Sequence, residues 1–276
     1  MKTPLTYYGG KQRMLPHILP LIPDHDTYVE PFAGGAAVFW AKSPSPIEVR
    51  NDTNRELMTF YAVLTRRPAD LAELISASLH SRRLYDFSGL VYQFPEFFDE
   101  VRLAWAVWMQ CQQSFCASIG NAWGYGRQPS PNGTDATTRK LAAKRAAFTE
   151  PTQLQAMANR LGHVQLECTD AVRVIQSRDT PRAFHYVDPP YPGSMQGHYA
   201  GYGEADFARL LDALAQVKGK FLLSCYGVPS LLAAAEQHGW HIRTVSQAIS
   251  ASLVSSSKGE RRAIKVEYLV ANYPLP

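Results

Sequence analysis

The sequence predicts an α/β fold in which one sheet domain is interrupted by a mostly helical insertion. Two observations carry this expectation. In residues 1–65 and again in 150–276, short apolar runs alternate with segments of helical spacing. Between 66 and 149 that rhythm breaks, and a long apolar stripe at helical spacing gives way to a stretch rich in Gly, Pro, Ser, Thr and Asn.

Taken in order, "LPHILPLI" puts Leu15, Ile18, Leu19 and Ile22 on one helical face, with an end made irregular by Pro20. "TYVEPF" (27–32) is a short strand that runs into the glycine turn "AGGA", and "IEVRND" (47–52) is a second strand with a polar end. "NRELMTFYAVL" then has helical spacing through Leu57, Tyr61 and Leu64. Strand, glycine turn, helix, strand and acid, in that order, make a nucleotide-binding α/β unit.

In the insertion, Val101, Trp105, Trp108, Phe115 and Ile119 form a buried helical stripe, and "NAWGYGRQPSPNGTDATTRK" reads as a long loop. Beyond it, "VQLEC" (164–168) is a strand, "DAVRVIQS" a helix, and "FHYVD" a strand that stops at two prolines. "EADFARLLDALAQV" is an amphipathic helix, "KFLLSCY" a buried strand, and "VPSLLAAAEQHG" a helix stopped by Gly239. "AIKVEYLVANY" alternates well enough for a long antiparallel strand.

The 276 residues are 46% apolar and 19% charged, with a formal charge of +4, an ordinary globular composition that tolerates a polyanionic partner. Cys111 and Cys116 lack the second pair or flanking histidine of a zinc site, so free thiols and no metal are expected. No run approaches 18 uninterrupted apolar residues, and the expectation is a cytoplasmic protein without a membrane partner.

Four segments carry chemistry. In "YVEPFAGGAAVF", the glycine pair permits close backbone approach, or simply a tight turn, while Glu30 suits a ligand bearing an amine or sulfonium better than a phosphate. Asp52 follows Gly34 and Gly35 by about the spacing at which a ribose meets an acid, although a helix cap explains it equally well. In "TYYGGKQRM" the phosphate-loop pattern fails, because Leu5 holds the first glycine position and Gln12 follows the lysine. Tyr7, Tyr8 and Lys11 remain there as an aromatic and cationic pocket wall. In "AFHYVDPPYPGSM", the prolines end a strand and stiffen the chain where Asp188 and an exposed Tyr191 are presented.

In this order, "YYGGK", "VEPFAGGAAV", "ND" and "DPPY", with the closing "GERRAIKVEYLVANY", resemble the DNA adenine methylase (Dam-type) family across nearly the whole chain. The resemblance implies a Rossmann-like sheet that binds S-adenosyl-L-methionine (SAM), with 1–65 and 150–276 as the catalytic domain and 66–149 as a target-recognition domain. Tyr7, Lys11, Glu30, Phe32, Gly34, Asp52, Asp188 and, more loosely, Asp170 match its cofactor-binding positions, and Asp188, Pro189, Pro190 and Tyr191 its catalytic motif. The activity implied is methyl transfer from SAM to adenine N6 in duplex DNA, with the base rotated out of the helix. Cytosine N4, an RNA adenine, and a catalytically silent DNA-binding relative are the alternatives.

The family's target-recognition segment does not carry over into 112–140, and "PGSMQGHYAGYG" departs from its usual pattern. Candidate DNA contacts are therefore read from charge and polarity. Arg139, Lys140, Lys144 and Arg145 form one cationic cluster, and Lys258, Arg261 and Arg262 another, each also explicable as a solvated helix face. Asn121, Arg127 and Asn132 in the polar stretch are candidates for reading bases.

Overall fold

The structure, a computed structural model, describes residues 1–126, 129, 136–192, 201–248 and 264–276. Its strands are β1 (Thr27–Glu30), β2 (Ile47–Asn51), β3 (Val164–Glu167), β4 (Ala183–Val187), β5 (Lys220–Cys225), β6 (His241–Ala248) and β7 (Ile264–Ala271). Its helices are α1 (Leu15–Ile18), α2 (Ala37–Ala41), α3 (Arg55–Arg66), α4 (Pro68–Ser76), α5 (Arg82–Gln93), α6 (Glu100–Gln113), α7 (Ala136–Thr149), α8 (Pro151–Leu161), α9 (Ala171–Arg178), α10 (Glu204–Leu214) and α11 (Pro229–His238). The seven strands make one mixed sheet of order β3-β2-β1-β4-β5-β7-β6.

By its contacts the chain divides into two compact units, the first comprising Met1–Arg13 and Ala33–Asp170. Here β2 and β3 pair in parallel. Asn54 caps α3 by accepting the Leu57 amide at 2.9 Å, and Asp99 caps α6 through the amides of Val101 and Arg102. The expected stripe on α6 is buried at Val101, Trp105 and Trp108, whose ring packs on Phe148. It does not extend to Phe115, which is 55% exposed. The helix ends at Gln113 because Ser114 turns extended, and Phe115 falls in a 3₁₀ turn beyond it. Part of the expected loop is helical as well. From Ala136 the sequence is rich in Ala, Lys and Arg, good helix formers, and Leu141 and Phe148 anchor α7 to the core.

The second unit comprises Met14–Phe32 and Ala171–Pro276. β1, β4 and β5 run parallel, with Val29 beside His185 and Val187 beside Leu223; β7 is antiparallel to β5, and β6 to β7. Every residue of β1 and β4 is buried, so these strands read as unbroken runs rather than alternations, as parallel strands covered on both faces do. Val172 and Ile175 of α9, Phe207 and Leu210 of α10, and Leu231 of α11 share one core with Val187, Phe221 and Leu223. Gly239 stops α11 at φ +65°, a left-handed cap that strains any residue with a Cβ. Among the described residues no helix is long and apolar enough to cross a membrane, and no histidine, cysteine and acid cluster could hold a metal ion.

Candidate active site

In the first unit the glycine turn is built around Tyr7. Gly34 has φ +45°, and a Cβ there would lie 3.1 Å from the Tyr7 ring; one on Gly35 would lie 2.9 Å from the Tyr7 Cβ. The glycines are thus required by an aromatic side chain of this same chain. Thr3 Oγ1 donates to the Gly35 carbonyl at 2.5 Å, and the Tyr61 hydroxyl to the Gly34 carbonyl at 2.7 Å, which fixes the turn from both sides. Lys11 is buried, its Nζ donating to the Gly9 carbonyl at 3.1 Å.

Asp52, just past β2, is half-buried, and its Oδ2 accepts the Gly34 amide at 2.9 Å while Oδ1 accepts the Asn54 amide at 3.0 Å. Burial raises its carboxyl above the usual range, against the lowering effect of those amides and of Arg50. The helix cap is Asn54, so Asp52 is left to serve the glycine turn. The fully buried Asn51 bridges to Thr169 in both directions, its Nδ2 donating to the carbonyl at 3.0 Å and its Oδ1 accepting the amide at 2.9 Å. That bridge fixes the loop carrying half-buried Asp170 beside the end of β2.

In the second unit Glu30 ends β1 with 2% of its surface exposed, and accepts the Tyr28 hydroxyl at 2.6 Å. Phe32 meets Tyr202 edge-on, with ring centroids 6.0 Å apart. Asp188 leaves the adjacent parallel strand β4 in the same direction, so both acids stand at the carboxyl edge of this part of the sheet. Tyr191 differs from the exposed ring expected. It is only 9% exposed and meets Tyr226 edge-on at 4.6 Å, and its hydroxyl contacts Asp188, Ser224 and Glu267. An aromatic after two prolines looks like a loop residue, but here the turn folds its ring back onto the core.

The candidate DNA contacts separate. Arg139 and Lys140 are exposed on the first turn of α7. Lys144 instead donates to Gln112 at 2.7 Å and to Thr6, and Arg145 to the Ser78 carbonyl at 2.7 Å. Asn121 donates to the Phe115 carbonyl at 3.2 Å and accepts the Tyr85 hydroxyl on its backbone oxygen. Arg127, Asn132, Lys258, Arg261 and Arg262 lie outside the described residues.

Sequence reasoning gave no role in the site to Asn51, Tyr61, Ser224 or Glu267. A buried polar residue on an apolar strand is the one signal that could have pointed to Ser224 in "KFLLSCY" and Glu267 in "AIKVEYLVANY".

A family model described as "D12 class N6 adenine-specific DNA methyltransferase" matches residues 7–231. The Type II methyltransferase M1.LlaDCHI of Lactococcus lactis subsp. cremoris is 26% identical over 284 residues, covering 96% of this chain and 93% of that protein. Among solved structures, a precorrin-8w decarboxylase of Methanobacterium thermoautotrophicum aligns at a TM-score of 0.40 and 10% identity, over 98% of this chain and 95% of that one. A precorrin-6y C5,15-methyltransferase of Geobacter metallireducens GS-15 aligns at 0.25 and 12%, over 48% and 73%.

Proposed function

Because the chain belongs to the D12 class of N6 adenine-specific DNA methyltransferases, whose methyl donor is SAM, we propose that Asp188, Pro189, Pro190 and Tyr191 activate the adenine amine of duplex DNA. The supporting observation is that Asp188 and Glu30 leave neighbouring parallel strands at one sheet edge. The residues present fit the cofactor. Acids at the ends of β1 and β2, Glu30 and Asp52, with a glycine turn between them in sequence, suit a ligand that carries a sulfonium, an amine and a ribose diol. Tyr7, Lys11, Phe32, Gly34 and Asp170 complete the set that would hold it. When bound, it supplies an electrophilic methyl group on sulfur.

The chemistry left to the protein is to make a poor nucleophile attack. The lone pair of the exocyclic nitrogen is delocalised into the adenine ring. Asp188 and the Pro189 carbonyl accept its two hydrogens, which lets the nitrogen pyramidalise and turn its lone pair toward the methyl carbon. Acceptors placed where positive charge develops stabilise the transition state more than the ground state. The prolines hold the two acceptors with little freedom to lose, and alignment of nitrogen, carbon and sulfur adds up to roughly 7–11 kcal/mol. Rotating the base out of the duplex costs a few kcal/mol. The part of the Tyr191 ring that remains accessible offsets some of that by stacking, worth about 1–3 kcal/mol.

Residues 66–149 form the target-recognition region in this proposal, with Arg139 and Lys140 as phosphate contacts. A role in restriction–modification is supported by the name of the Lactococcus relative, and a DNA substrate suits a cytoplasmic protein. Incubation with SAM tritiated on its methyl group and duplex DNA tests the residue roles. N6-methyladenine from the wild type and none from Asp188→Ala, with SAM binding still detectable, is the expected result; normal turnover by the variant would refute the assignment.

A further inference from the structure

Behind the catalytic turn, the Tyr191 hydroxyl links Asp188 of the turn to Ser224 of β5 and Glu267 of β7. The Tyr191 hydroxyl is 2.7 Å from Glu267 Oε1, 3.0 Å from Ser224 Oγ and 3.1 Å from Asp188 Oδ1, and Ser224 Oγ is 2.6 Å from the same Glu267 oxygen. Ser224 is fully buried and Glu267 is 3% exposed. Burial, with Asp188 and Glu267 nearby, holds the Tyr191 phenol well above its ordinary range, so it keeps its one proton. That proton faces two carboxylates and can serve only one of them at a time. The shorter contact is to Glu267. We propose that Glu267 is a positioning residue that draws the Tyr191 proton away from Asp188 and so keeps Asp188 open as an acceptor for the adenine amine.

The consequence is a competition. With a weaker acceptor at position 267, the Tyr191 hydroxyl turns to Asp188, and donating to that carboxylate weakens it as an acceptor for the substrate amine. Glu267 lies beyond the 7–231 match of the family model, and Tyr191 links it to the catalytic acid. The inference rests on Asp188 being the amine acceptor, so its test carries a control for that premise.

Glu267→Gln keeps the shape and gives up the charge. Turnover should fall by about tenfold, the factor expected from weakening a charge-assisted hydrogen bond. The dissociation constants for SAM and DNA should hold. Adding Tyr191→Phe removes the competing donor, so the double variant should turn over faster than Glu267→Gln alone, an outcome that a merely structural glutamate would not give. Wild-type turnover in Glu267→Gln, or a double variant no faster than the single, would overturn the proposal. Asp188→Asn, run in parallel, separates the two failures: if it stays active the premise falls, and if it is inactive while Glu267→Gln is normal only the role of Glu267 falls. Circular dichroism and thermal melting verify the fold. Should Glu267→Gln not fold, Glu267→Asp withdraws the acceptor by one methylene and carries the same expectations.

Discussion

The Asp52 carboxylate accepts a hydrogen bond from the Gly34 amide at 2.9 Å. One side chain at the end of β2 thereby fixes the turn that follows β1, and its second oxygen, on Asn54, ties the same carboxylate to the start of α3. Burial opposes this arrangement by raising the carboxyl above its ordinary range.

The sign of that shift gives a prediction. A carboxyl whose pKa is raised on folding favours the folded state most below its unfolded value, and that advantage is lost as pH rises through the folded value. Wherever Asp52 is ionised in the folded chain, its burial should therefore cost stability. Asp52→Asn should raise the melting temperature at pH 7.5, an advantage that shrinks toward pH 4, and should weaken SAM binding by about tenfold through loss of a charged acceptor for the ribose. A lower melting temperature at pH 7.5 would mean that the amide bonds outweigh the burial cost.

Cys168 offers a probe of the same region. It is exposed just past β3, 3.8 Å from the Thr53 carbonyl, and partial burial followed by the charges of Asp52 and Glu56 raises its thiol pKa. Cys111 is buried and its thiol is pushed up to about 12, so it should stay unreactive in the native protein. If the cofactor spans Asp52 and Asp170, saturating SAM should slow alkylation of Cys168 several-fold at pH 8.5, measured by mass spectrometry of the labelled peptide. An unchanged rate would place the adenine end elsewhere.

What sequence could and could not reveal follows from what each residue does. β1, β4 and β5 were legible because strands covered on both faces need unbroken apolar runs, and Asp52 and Asp188 because acids at strand ends break those runs visibly. Asn51, Ser224 and Glu267 were not, since each partner lies far along the chain: 118 residues separate Asn51 from Thr169 and 43 separate Ser224 from Glu267. Tyr191 was recognised from its motif, yet its burial depends on Ser224 and Glu267, so no local pattern could report it. The start of α7 was hidden in a polar stretch because its anchors, Leu141 and Phe148, are widely spaced.

His185, in the middle of β4, should make the fold sensitive to acid. It has no exposed surface, and burial pushes its imidazole down to about 4, against the attraction of Asp179 at 3.7 Å. A histidine depressed in this way contributes stability above its unfolded pKa of 6.5, and that contribution is lost as pH falls from there toward 4. Between pH 7 and 4.5 the loss should approach about 2 kcal/mol. Urea denaturation at the two values measures it, and His185→Gln should remove most of the difference. A slope unchanged in the variant would assign the acid sensitivity to other groups.

The cations of α7 should divide by function. Arg139 and Lys140 are exposed, whereas Lys144 is held by Gln112 and Thr6 and Arg145 by the Ser78 carbonyl, so only the first pair is open to a phosphate backbone. Burial lowers the Lys144 pKa, as expected of an ammonium drawn inward. Each phosphate contact on duplex DNA adds about 0.9 to the slope of log affinity against log salt. Arg139→Ala with Lys140→Ala should therefore flatten that slope by up to about 1.8 and leave the melting temperature within a degree or two. Lys144→Ala with Arg145→Ala should do the reverse, lowering the melting temperature by several degrees while the slope holds, because acceptors on half-buried Gln112 and buried Ser78 lose their donors. Fluorescence anisotropy across a salt series, paired with thermal melts, separates the two effects. If both pairs flatten the slope equally, the inward bonds of Lys144 and Arg145 open when DNA binds, and the division drawn from the free protein fails.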